Sequence, residues 1–162
     1  AGRPTRSALI VGAGSGISAS LARALHRRGF KIALAARNPA KLETLGTSTG
    51  ALCIGADATQ AAGMEHIFAE VDRNLGPLDL AVYNAGLRAN GRLADISPTD
   101  AERALITGAF GAFLMAQEAA RRMEPRGEGA IFFTGATASV KWNTCVTAPL
   151  VQVPPTYRPP WK

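Results

Sequence analysis

Cysteine is nearly missing from this chain: Cys53 and Cys145 are the only two in 162 residues. Two thiols build no disulfide framework, so a reducing, cytoplasmic setting is the expectation. No apolar run approaches the roughly 20 residues of a membrane span. The first six residues lack a secretory hydrophobic region, because the apolar stretch that follows is cut at once by glycines. Acidic residues are missing from one end altogether. All 12 lie at or before Glu128, while residues 142–162 hold five of the ten prolines and both tryptophans.

What remains has an ordinary globular composition, 47% hydrophobic and 19% charged. A single domain of this size buries roughly 70% of its unfolded surface. The net charge of +6 comes from scattered basic residues. Arg27-Arg28 and Arg121-Arg122 suit helix ends, where cations complement the dipole. No recognised nucleic-acid module accompanies the charge, and an anionic cofactor explains it equally well. Neither nucleic acid nor membrane is expected as a partner, and no metal site is expected.

The chain is organised around residues 8–18, Ala-Leu-Ile-Val-Gly-Ala-Gly-Ser-Gly-Ile-Ser. An apolar run breaks into closely spaced glycines and opens into an amphipathic segment. That pattern predicts a buried strand, a tight turn and a helix N-terminus whose free N–H groups attract a phosphate. Leu21, Ala22, Ala24 and Leu25 repeat at helical spacing, and Gly29 stops the helix. Further strands are expected at 30–35, 51–54, 78–83 and 129–134. Asn38-Pro39 caps a short helix through Leu45, and Met64, Ile67, Phe68 and Val71 mark a helix over 60–75. Ser97-Pro98 opens a long helix to about Met123, whose apolar residues nearly encircle it; such a helix is buried, often partly against another subunit. Strands alternating with helices imply a parallel sheet with right-handed crossovers, covered on both faces.

Gly12-Ala13-Gly14-Ser15-Gly16 differs in spacing from the general G-x-G-x-x-G dinucleotide fingerprint. It resembles the TGxxxGxG of the short-chain dehydrogenase/reductase family, with Val11 and Ser18 departing from the pattern. Tyr83-Asn84-Ala85-Gly86 after the fourth strand resembles that family's NNAG, with tyrosine in the first position. Asp57, after the third strand, falls where the family binds adenine. The resemblance runs from about Ser7 to Val140. It implies a Rossmann-type α/β fold, a doubly wound parallel sheet in three α/β/α layers, here ending after the fifth strand. It also implies cofactor contacts at Gly12, Ser15, Gly16, Ile17, Arg37, Asp57, Asn84, Ala85 and Gly86. Plainer roles stand beside these: Asp57 as a cap for the helix near Gln60, Asn84 as a tie between strands, Gly86 as a source of positive φ. Ser18 takes the place of the third glycine, where close packing is wanted, and is expected to loosen the turn slightly.

The end of the second strand reads Leu34-Ala35-Ala36-Arg37-Asn38, with no carboxylate to accept from a ribose 2′-hydroxyl. Arg37 can instead pair bidentately with a 2′-phosphate, with Ser15 beside it. NADP(H) is therefore expected over NAD(H); as a plainer alternative, Arg37 is a solvated residue before a cap.

The family's chemistry is hydride transfer between a nicotinamide and a carbonyl or alcohol, using a Tyr-x-x-x-Lys pair, a Ser and an Asn. Here the Asn position falls on Gly108 and the Ser position on Ala136. Thr137 and Ser139 offer hydroxyls nearby, although hydroxyls at a strand end commonly serve as backbone caps. Where the tyrosine is due the chain has Pro149, and Pro159-Pro160 between Tyr157 and Lys162 forbids the helical turn that would align them. No credible general acid results. The expected division is a cofactor-binding domain over 1–141 and a proline-rich irregular tail over 142–162, an ending foreign to the family pattern. The leading expectation is an NADP(H)-dependent oxidoreductase impaired in catalysis, acting on a small carbonyl or alcohol and able to self-associate through helix 98–123. The alternative is a non-catalytic NADP(H)-binding sensor or interaction module.

Overall fold

The computed structural model describes residues 6–89 and 92–135. Five parallel strands form one sheet: β1 (Ser7–Val11), β2 (Lys31–Ala36), β3 (Leu52–Gly55), β4 (Leu80–Tyr83) and β5 (Ala130–Phe133). Their order across the sheet is β3-β2-β1-β4-β5. β1 is central and fully buried because both neighbours pair with it, Ile10 lying opposite Leu34 on one side and Val82 on the other.

Side chains alternate between the two faces of each strand, so one strand feeds two cores. Ala8 and Ile10 of β1 pack with Ile32, Leu34 and Val82 beneath α1 (Ile17–Arg27) and α2 (Glu43–Thr49). Leu9 and Val11 pack with Ala33, Ala35 and Ala81 beneath α3 (Ala61–Leu75) and α5 (Gly111–Met123). This is the three-layer, doubly wound arrangement expected from the alternating strands and helices. Arg122 clamps the second layer: its guanidinium lies 4.8 Å from the centre of the Phe68 ring and bonds Asp72 at 2.9 Å and Glu118 at 2.6 Å. Among the described residues, no helix is long and apolar enough to cross a membrane.

Two helices differ from expectation. The short helix after Asn38 does not end at Leu45; a 3-10 turn (Pro39–Leu42) leads into α2, which continues to Thr49. Its stop is Gly50, which takes the left-handed conformation at φ 61°. The long helix over 98–123 is one helical run with a widened turn inside it. α4 (Pro98–Leu105) passes into a π-helical turn (Ile106–Phe110) and then α5. Ser97 caps it as expected, accepting from the Asp100 N–H at 3.0 Å. The run is not buried all round: Leu114, Met115, Ala119 and Met123 face the sheet, while Leu105, Ile106, Phe110 and Phe113 remain exposed. β5 is the last strand of the order among the described residues, and its Phe132 is 59% exposed.

Candidate functional site

Because the strands are parallel, their carboxyl ends share one edge of the sheet. The chain leaves β1 outward through β2 and β3, then returns to lay β4 on the other side of β1. The reversal between β1 and β4 is the switch point where α/β sheets open a crevice for ligands. Every candidate cofactor residue lies on this edge: Gly12, Ser15, Gly16 and Ile17 after β1, Arg37 after β2, Asp57 after β3, and Asn84, Ala85 and Gly86 after β4.

The two glycine-bearing motifs touch. Gly12 sits at φ 81°, and its N–H and that of Ala13 both donate to the Ala35 carbonyl, at 2.9 and 3.0 Å. A Cβ on Gly12 would come within 2.5 Å of the Ala85 Cα. Hence residue 12 must be glycine on two counts, conformation and space. Gly14 and Gly16 are different, since a Cβ on either would meet nothing within 4 Å. The turn is therefore closed on its β4 side and open on the other. At the start of α1, the N–H groups of Ala19 and Ser20 close on the Gly16 carbonyl. The N–H groups ahead of them, in the first turn of α1, have no preceding helical turn to donate to. Gly16 caps the helix with no side chain of its own. Open space beside a positive helix end fits a phosphate.

Ser18 does not loosen this turn. Its side chain is buried, donating to the Gly12 carbonyl at 3.2 Å and accepting from the Asn84 side-chain amide at 2.7 Å. Asn84 is also held through its backbone N–H, which donates to the Val11 carbonyl at 2.8 Å. A hydroxyl where the resemblance puts a glycine thus adds a link between turn and strand rather than a gap. The sequence signal was that departure itself: a small polar residue one step into a helix.

Arg37 and Asp57 stand near each other on exposed ground beyond β2 and β3. Asp57 Oδ1 accepts from the Thr59 N–H at 3.0 Å and the Thr59 hydroxyl at 2.7 Å. These bonds, the backbone one first, hold its carboxyl below the usual range, and the Arg37 charge adds to the effect. The Asp57 side chain therefore turns on Thr59 and does not cap α3, whose N-cap Gln60 has no side-chain bond.

Tyr83, in the first position of the Tyr-Asn-Ala-Gly motif, reaches toward the helical run 98–123. Its hydroxyl donates to the Thr107 carbonyl inside the π turn at 2.5 Å, and a Cβ on Gly111 would overlap the phenol. Burial, helped by the Asp57 charge, pushes the phenol up to about 12. An unfolded tyrosine loses its proton near 10, so the folded state resists ionisation and loses stability as pH rises from about 10 to about 12. Tyr83→Phe is expected to flatten that alkaline decline, read as urea midpoints between pH 8 and 11.5, at a cost of about 1 kcal/mol near neutrality for the lost hydrogen bond. Equal alkaline slopes in the two proteins would contradict it.

Tyr83 is the one tyrosine among the described residues, and it is committed to this bond. Gly108, at the family's Asn position, lies in the π turn with open space beside it. Ala136, Thr137, Ser139, Pro149, Tyr157 and Lys162 lie outside the described residues.

The family profile described as short chain dehydrogenase matches residues 6–148. The chain belongs to the short-chain dehydrogenase family. Among relatives of this short-chain dehydrogenase, versicolorin reductase 1 of Aspergillus parasiticus is 35% identical over 141 residues, covering 83% of this chain and 53% of the relative. Gluconate 5-dehydrogenase of Gluconobacter oxydans is 32% identical over 129 residues, covering 76% and 50%. A solved short-chain type dehydrogenase/reductase from Mycobacterium marinum superposes with a TM-score of 0.81 at 32% identity, covering 86% of this chain and 57% of that one. The chain spans about half the length of the curated relatives it matches. The family is one of oxidoreductases that use a nicotinamide dinucleotide, and the open turn at Gly14 and Gly16 fits its phosphates.

Proposed function

We propose that this chain forms the NADP(H)-binding part of an oxidoreductase acting between a carbonyl and an alcohol. The observation that carries the reading is the glycine turn, closed against Ala85 and open at Gly14 and Gly16, at the switch point of the sheet. When bound, the nicotinamide supplies or takes up a hydride. The chain's own residues hold the cofactor: N–H groups at the start of α1 take the diphosphate, and Asp57 accepts from the adenine. Arg37, with Ser15 near it, takes the 2′-phosphate. The absence of a carboxylate at the end of β2 supports NADP(H) over NAD(H), since nothing there repels the extra charge. The exposed Leu105, Ile106, Phe110 and Phe113 support self-association through the helical run 98–123. A cytoplasmic location agrees with the low cysteine count.

A second reading has its own support. Gly108 offers no side chain for a proton relay and the Tyr83 phenol is engaged elsewhere, which favours a cofactor-binding module without turnover. Calorimetric titration of the 162-residue chain with NADPH and NADH tests the first reading. NADPH is expected to bind at least about tenfold more tightly, a difference of about 1.4 kcal/mol. Tighter NADH binding, or none of either, overturns it. NADPH binding with no turnover of a ketone and aldehyde panel selects the module. Sedimentation velocity on the same preparation reads the self-association, which a monomer at all concentrations would refute.

A further inference from the structure

We infer that Ser18 is a positioning residue for the cofactor turn, its hydroxyl fixing the glycine turn after β1 against the Asn84–Gly86 segment that follows β4. The inference rests on the cofactor reading above for its functional consequence, but not for its geometry. Ser18 is buried at 1% exposure, and its hydroxyl is used in both directions, donating to Gly12 and accepting from Asn84. Asn84 in turn is fixed by its own N–H on Val11. The four residues make a closed ring of polar contacts across the β1–β4 switch point. Ser18 also belongs to the first turn of α1, whose N–H groups make the positive end of the helix. Pinning its side chain therefore fixes the direction of the donors as well as the spacing of the two motifs.

The two departures from the family pattern make sense together. Val11 places an apolar, fully buried side chain where TGxxxGxG has a hydroxyl, and Ser18 brings a hydroxyl from the helix side where the pattern has glycine. A glycine or alanine at 18 leaves the Asn84 amide and the Gly12 carbonyl without their shared partner. Asn84 is then free to turn, and Ala85 to move away from Gly12. Buried polar groups stripped of a partner are expensive, so such a rearrangement is the expected response.

Ser18→Ala, Ser18→Gly, Asn84→Ala and the double variant Ser18→Ala/Asn84→Ala of the full chain test this. The readouts are amide hydrogen exchange by mass spectrometry and NADPH affinity by calorimetry. Each single variant is expected to speed exchange about tenfold across residues 12–18 and 84–86, leaving β2 unchanged, and to weaken NADPH binding by about tenfold, on the scale of one or two lost hydrogen bonds. The double variant is expected to be no worse than the worse single one, because both act through one contact. Ser18→Gly carries the test if Ser18→Ala fails to fold. Exchange that rises equally in β2, unchanged affinity in a folded variant, or additive losses overturn the inference. If the unaltered chain binds no NADPH, the cofactor reading fails, while the local exchange contrast still decides whether Ser18 pins the turn.

Discussion

Gly12→Val is expected to abolish cofactor binding and to cost about 3 kcal/mol of stability, combining a positive φ with a steric overlap that nothing can relieve. At φ 81° a β-branched side chain is strained in any surroundings. Its Cβ would also fall on the backbone of Ala85, and that backbone cannot retreat, because Asn84 is tied to Val11 and Ser18. For a domain of this length the loss corresponds to a fall in Tm of roughly 6–12 °C. Gly14→Ala is the control. Its Cβ meets nothing within 4 Å, so its stability should stay within about 0.5 kcal/mol while the added methyl intrudes on the phosphate space and weakens NADPH. Thermal melts and calorimetry of the two variants separate the roles. A Gly12→Val protein with the melting midpoint of the unaltered chain would contradict the contact between the two motifs.

That contact shows what sequence could and could not disclose. The strands of the sheet were legible because β1 and β2 are continuous apolar runs, the pattern of strands buried on both faces. The positions of Arg37, Asp57 and Asn84 at strand ends followed from topology alone. Residue spacing cannot say which loops touch, and the pairing of Gly12 with Ala85 emerges only when β4 is laid against β1. The same holds for Ser18, whose partner lies 66 residues away. The π turn at Ile106–Phe110 was illegible for another reason. Helical periodicity survives one widened turn, and the Thr107 carbonyl inside it is met by Tyr83 from a distant strand. α2 runs past Leu45 because Gly46 stays helical and the left-handed stop comes only at Gly50, a difference in backbone conformation that two glycines do not reveal in sequence.

Arg37→Glu is expected to weaken NADPH binding by about 100-fold while leaving NADH within a few-fold, since a charge-assisted pair to phosphate contributes about 1.5–3 kcal/mol and the new carboxylate repels it. Arg37 is exposed, so screening by salt sets the size of the effect. Its setting sharpens the reversal. Asp57 lies near enough for the Arg37 charge to help hold its carboxyl down, and it remains ionised at neutral pH. With arginine at 37 the two charges offset each other at the mouth of the site. With glutamate there, two carboxylates face the same phosphate. Raising ionic strength should therefore erode the proposed NADPH preference of the unaltered chain and lessen the penalty in the variant, whereas NADH binding, which lacks the 2′-phosphate, should respond less in both. Parallel titrations at low and high salt read all four affinities. Equal losses of NADPH and NADH in Arg37→Glu would mean that Arg37 supports the fold beyond β2 and not the choice of cofactor.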